Sequence, residues 1–166
     1  KSTVADRYRG RRFNSPNDLC LDAAGRIYFS DPRYVGHEPR ELKHRAVYCI
    51  EPGGKVFEVT HNISKPNGIA ISPDGKLVLA SVYEGYYLAV LKLEDGKLTL
   101  TDRKLSVAGK PYRTVITADG TLGLTAGGGQ DGPDTHALTV IDLTADPIRT
   151  VDYVSVGNGP ESFGVS

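Results

Sequence analysis

A chain of 166 residues, 39% hydrophobic and 24% charged, suits one globular domain or a piece of a larger one. Its 20 basic and 20 acidic residues cancel, so no global field draws in nucleic acid or an anionic membrane surface. No apolar run approaches the roughly 18 residues of a spanning helix, and no leader segment is legible. The chain starts at Lys1 and contains no Met, which reads as a processed or excised product.

Residues 1–13 read as a charged strand followed by a turn. Arg9, Arg11 and Arg12 suit a solvated sheet edge that resists pairing with other chains, with an anion site as the other reading. From residue 14 a pattern repeats. Asn14-Ser15-Pro16-Asn17-Asp18 leads into strands at 18–22 and 26–30, joined by a tight turn at Ala24-Gly25. An insertion beginning at Asp31 precedes strands at 45–51 and 55–60, joined by Pro52-Gly53-Gly54. The second copy opens at Lys65-Pro66-Asn67-Gly68 and continues with strands at 77–82, 87–93 and 97–101, the last two across Asp95-Gly96. The third opens at Lys110-Pro111-Tyr112-Arg113 and continues at 122–125, 137–142 and 149–155. A fourth opens at Pro160-Glu161. In the first three copies Pro and the turn Gly stand nine positions apart, at 16 and 25, 66 and 75, 111 and 120. The copies begin 50, 45 and 49 residues apart, a propeller-blade period.

No segment sustains a period of 3.6, so helix content is expected to be small. The fold expected is all-β: a β-propeller segment over residues 1–166 with three four-stranded blades in this chain. These lie at about 16–62, 66–104 and 111–156, with partial strands at 1–10 and 160–166. A closed propeller usually has about four to eight blades. Closure therefore requires either a longer chain or copies that assemble, for instance two three-bladed chains in a six-bladed ring with two-fold symmetry.

Cys20 and Cys49 fall on the first and third strands of one blade, roughly two ladder spacings of ~4.8 Å apart. That separation is too wide for a disulfide, and both read as buried free thiols. The Gly-x-Gly-x-x-Gly spelling at 127–132 leads into Pro133 and a β-rich run, so it reads as a loop and not a phosphate-binding turn. His37, His44, His61 and His136 have no zinc spacing. Asn62-Ile63-Ser64 is a sequon, meaningful only in a secreted, glycosylated protein.

First strands of blades line a propeller's channel, so residues just before them crowd one mouth. The equivalent positions are Asn17, Asn67, Tyr112 and Glu161. Two amides and a carboxylate converging there would supply oxygens of the kind Ca²⁺ takes. The alternative is turn chemistry, since Asn and Gly after Pro are common turn formers. Asp18 beside Asn17 reads either as a base or as a carboxylate bonded to the turn backbone.

Asn14-Ser15-Pro16-Asn17-Asp18-Leu19, Gly25-Arg26-Ile27-Tyr28-Phe29-Ser30-Asp31-Pro32 and Lys65-Pro66-Asn67-Gly68-Ile69-Ala70 resemble the gluconolactonase, regucalcin and luciferin-regenerating family of six-bladed propellers, over residues 7 to about 105. The resemblance implies a divalent cation, usually Ca²⁺, at the channel mouth and hydrolysis of small lactones. It implies metal binding by Asn67 and a place beside metal or substrate for Asn17. Two departures stand out. The family's Glu ligand would fall ahead of residue 1, and Tyr112 occupies the place of its Asp. A Tyr, with a pKa near ~10, does not replace a carboxylate at neutral pH. Glu161 is the position that would restore a negative charge at the mouth. Leu138-Thr139-Val140-Ile141-Asp142-Leu143, followed by 156–161, is similar instead to YVTN-type propeller repeats, which makes a composite of two lineages the alternative origin. Two functions follow: a metal-dependent lactone hydrolase or a segment of one, and a non-catalytic propeller scaffold.

Overall fold

The computed structural model describes residues 3–94, 97–128, 136–157, 159–160 and 163–165. Among them the chain forms fourteen strands and no helix, as the period-2 patterning requires. The first blade is β3 (Leu19–Leu21), β4 (Ile27–Asp31), β5 (Ala46–Ile50) and β6 (Val56–Thr60). The second is β7 (Pro66–Ile71), β8 (Leu77–Val82), β9 (Tyr87–Glu94) and β10 (Lys97–Ser106). The third is β11 (Lys110–Ile116), β12 (Leu122–Gly128), β13 (Ala137–Asp142) and β14 (Arg149–Ser155). Each blade is an antiparallel sheet in chain order. The innermost strands adjoin, β7 touching both β3 and β11.

The repeated turns are one device. Gly25, Gly75 and Gly120 all take positive φ, at 76°, 71° and 74°. Their N–H groups close the turns on the carbonyls of Asp22, Ser72 and Thr117 at 3.0, 2.8 and 2.8 Å. Glycine meets that backbone requirement without a Cβ penalty. Glu94 pairs with Lys97, consistent with a two-residue hairpin, while Asp95-Gly96 itself lies outside the described residues. The Gly-x-Gly-x-x-Gly segment beyond Gly128 and the metal candidate Glu161 lie outside them too.

Blades stack through apolar faces. Tyr28, Val47 and Cys49 of the first sheet pack on Ile69, Val78, Val82 and Leu91 of the second. Leu79, Leu88 and Val90 on the far face of that sheet meet Ile141 of the third. Inward residues alternate with outward ones, so each sheet contributes to two interfaces.

Two expectations are corrected. Residues 7–12 form a small hairpin of their own, β1 (Arg7–Tyr8) and β2 (Arg11–Arg12), where one strand was expected. It lies over the first sheet, with Tyr8 and Phe13 packed on Phe29 and Tyr48. Arg12 donates from its backbone to Glu41 at 2.7 Å and from its guanidinium to the same carboxylate, and Arg11 donates to the Glu41 carbonyl at 3.1 Å. The anion these arginines meet is the chain's own. At the other end, residues 159–160 and 163–165 are not in a strand.

Cys20 and Cys49 are free, each opposite Tyr28 on the strand between them. Cys49 is buried and Cys20 half-buried. Burial pushes their thiols up to about 11 and about 12, so both stay protonated and inert at neutral pH.

Candidate functional site

At the mouth where the innermost strands begin, Asn17, Asp18, Tyr34, Asn67, Tyr83, Tyr112 and Arg113 line a cavity of about 340 Å³. Three of the four residues expected at the mouth, Asn17, Asn67 and Tyr112, thus line one cavity.

A repeated distortion puts Asn67 and Tyr112 there. The β7–β8 register shifts between Pro66 and Ile69, and the β11–β12 register shifts between Pro111 and Thr114. Each bulge falls on the motif pair, Asn67-Gly68 or Tyr112-Arg113. Bulges re-aim side chains and release ladder hydrogen bonds. Asn67-Gly68 is therefore strand, and the turn-former reading of that pair is set aside. A Cβ on Gly68 would lie 2.2 Å from the Tyr112 carbonyl oxygen, so glycine is required there by the approach of the next blade.

Hydroxyl groups on second strands take up the released bonds. Ser30 Oγ accepts from Asp18 N at 3.2 Å and donates to the carbonyl of Asn67 in the next blade. Ser81 Oγ accepts from Gly68 N at 2.6 Å and donates to the carbonyl of Tyr112 in the next blade at 3.0 Å. In the third blade Thr125 donates to the Arg113 carbonyl at 3.1 Å. Sequence reading missed these hydroxyls. Their signal is recurrence five or six residues after each turn glycine.

Asp31, fully buried at the end of β4, fixes the approach to Asn17. It accepts from Asn14 N at 2.8 Å, Asn14 Nδ2 at 3.0 Å and Ser15 N at 2.6 Å. Burial raises its carboxyl above the ordinary range, while these bonds pull it down. Asp18 takes the backbone-bonded role. One oxygen accepts from Leu19 N at 3.0 Å, the other from Ile69 N of the next blade at 3.2 Å.

The cavity wall is aromatic. Tyr83 packs edge-on to Tyr34 and to Tyr112, with centroids 5.2 and 5.7 Å apart. Lys65, held at φ 49°, places Nζ 5.0 Å from the centres of both the Tyr34 and Tyr83 rings. The Tyr34 hydroxyl, beside Asn67, is buried without a hydrogen-bond partner of good geometry, and burial pushes its pKa up.

The amide oxygens of Asn17 and Asn67 and the carboxylate of Asp18 suit a hard cation in kind. They fall short in number: Ca²⁺ takes about six to eight oxygens. Among the described residues no group of three His, Cys, Asp or Glu side chains is placed to hold a metal.

The family model of the SMP-30/gluconolactonase/LRE-like region matches residues 1–132. A gluconolactonase of Zymomonas mobilis is 39% identical over 79 residues, covering 45% of this chain and 22% of that protein. The solved gluconolactonase of Xanthomonas campestris superposes with a TM-score of 0.75 at 26% identity, over 93% of this chain and 51% of that one. A regucalcin of Agrobacterium tumefaciens, described as calcium-binding, shares the fold at a TM-score of 0.61 and 19% identity, over 85% of this chain and 45% of that one. The chain thus spans about half the length of these solved structures and less of the curated relative. The match runs past residue 105 to include β11 and β12, while the YVTN-like stretch from Leu138 falls outside it. Its residues include all three motif turns and the whole lining of the mouth cavity, and the chain belongs to the SMP-30/gluconolactonase/LRE-like family.

Proposed function

We propose that this chain forms part of a lactone hydrolase acting on small lactones, with substrate in the mouth cavity and a divalent cation, Ca²⁺ first, held by Asn17 and Asn67. Glu161 is the third candidate ligand, from its repeat position. The observation that carries this reading is the meeting of Asn17 and Asn67, from adjacent blades, in one cavity beside Asp18. A cation bound there supplies Lewis-acid polarisation of a lactone carbonyl. The chain's own residues do the rest. Tyr83 and Tyr112 offer ring faces and hydroxyls to a small cyclic ester, Tyr34 offers its ring, and Arg113 offers a charge partner to the carboxylate that ring opening releases. Asp18, with both oxygens on backbone N–H groups, holds adjacent blades in register.

One observation favours a second reading, a scaffold that keeps the cavity without turnover. The described lining has a single carboxylate, Asp18, and Tyr112 occupies the place that the sequence resemblance gives to an Asp. A pH-stat assay over a panel of small lactones with added Ca²⁺ separates the two. Metal-dependent turnover that Asn67→Ala abolishes supports the hydrolase, and cation binding with no turnover supports the scaffold. The remaining blades come from a longer chain or from a second copy; sedimentation showing a stable single-chain species removes the second-copy arrangement.

A further inference from the structure

Beside the mouth lies a second cavity, of about 530 Å³, that the reading above does not use. Its lining includes the cations Arg40, Lys43, Arg45 and Lys65, with His44, His61 and Ser64 between. The cations come from two separate segments, the insertion between β4 and β5 and the link between β6 and β7. The insertion supplies three of them within residues 40–45, and the link supplies Lys65.

The wall is anchored. Leu42, between Arg40 and Lys43, is buried in the first blade's outer cluster, and Glu41 is clasped by Arg12. Arg33 donates to the Glu38 carbonyl across the insertion. His44 stacks on His61, with centroids 4.3 Å apart and planes 18° apart, and His61 Nδ1 lies 2.7 Å from Glu58. This stack joins the two segments.

Charge here is unbalanced. Two carboxylates meet this group: Glu58 lies against His61, and Glu84 accepts from Ser64 Oγ at 2.7 Å and pairs with Arg45 at 3.3 Å and Lys65 at 3.6 Å. Arg40 and Lys43 make no ion pair among the described residues, and the buried Nε of Arg45 has no hydrogen-bond partner. Arg40, Lys43, Arg45 and Lys65 against Glu84 and Glu58 leave a surplus of two positive charges around one concavity. The surplus gives this concavity a positive potential that favours an anion.

We propose that this cavity is an anion subsite for a phosphate-class dianion. A carboxylate offers one charge and two oxygens, whereas a phosphate offers up to two charges and three oxygens to donors that arrive from two sides. Lys65 borders the cavity, and its ammonium lies against the tyrosines of the mouth. The dianion is therefore carried by a ligand whose uncharged part enters the mouth cavity. That extension rests on the reading of the mouth as the substrate site; the anion subsite does not.

The test is calorimetric titration of the whole chain with inorganic phosphate at low ionic strength, where surface charge is least screened. The wild type is expected to bind, and the exposed double variant Arg40→Gln/Lys43→Gln to bind at least about tenfold more weakly with its thermal transition unmoved. Glu84→Gln, which removes a competing carboxylate, is expected to bind several-fold more tightly. Acetate is expected to bind more weakly than phosphate. Absent phosphate binding, binding unchanged in the double variant, weakened binding in Glu84→Gln, or acetate binding as tightly overturns the subsite. Asn67→Ala is expected to leave phosphate binding intact, which keeps this test separate from that of the mouth. Glucose 6-phosphate binding more tightly than phosphate, with that gain lost in Asn67→Ala, supports the shared ligand; no gain overturns the extension alone.

Discussion

Gly68 shows how a single atom sets the geometry of the mouth. A Cβ on this residue would lie 2.2 Å from the Tyr112 carbonyl oxygen and 2.6 Å from Thr114 N, both backbone atoms that cannot turn aside. Gly68→Ala must therefore part the second and third blades. Denaturant unfolding of this variant is expected to show a loss of about 3 kcal/mol, the upper range for overpacking. A loss below about 1 kcal/mol would mean that the blades yield there. Asp119 gives a prediction in pH. It accepts from Thr117 Oγ1 at 2.6 Å and from Thr121 N at 3.0 Å, and these bonds lower its pKa to about 2. The unfolded value is about 3.9. A carboxyl depressed in the folded state stabilises fully above the unfolded pKa, and that contribution is lost as pH falls through about 2. Thermal melts of the wild type should drop between about pH 4 and about pH 2, and those of Asp119→Asn should drop less.

Elements are joined by the second-strand hydroxyls. Ser81 receives the Gly68 N–H that the bulge leaves out of the ladder and passes its own proton to the next blade. Ser81→Ala orphans both groups and is expected to cost about 2 kcal/mol in equilibrium unfolding, the range for a buried group left without its partner. Ser72→Ala offers a comparison, since Ser72 bonds within its own turn. The turns themselves were legible in the sequence, because Pro and Gly nine apart carry fixed backbone demands that Gly25, Gly75 and Gly120 meet. The bulge at Asn67-Gly68 was not. After a proline those residues spell a turn, whereas here they lie in β7, paired with β8 and pressed against Tyr112 of the next blade, 44 residues beyond Gly68. The hairpin at 7–12 was illegible for a similar reason. Its strands are two residues long, and Arg12 is held by Glu41, 29 residues on.

At the scale of the molecule, three sheets share inner edges around part of an axis, and each interface is built from alternating apolar residues that the sequence displays openly. What the pattern could not convey is which loops meet. The aromatic wall draws Tyr34 from the β4–β5 insertion, Tyr83 from the β8–β9 turn and Tyr112 from the bulge of β11, and the basic cavity beside it draws on the same insertion and on the β6–β7 link. The outer edge strand β14 leaves Val151, Tyr153 and Val154 about half exposed, where a following blade would pack in a closed ring. If Asn17 and Asn67 act together at the mouth, calorimetric titration with Ca²⁺ gives a saturable heat in the wild type that Asn17→Ala and Asn67→Ala each weaken by about tenfold or more, with folding retained. A wild type that takes up no Ca²⁺, or variants that bind it as the wild type does, would contradict that joint action.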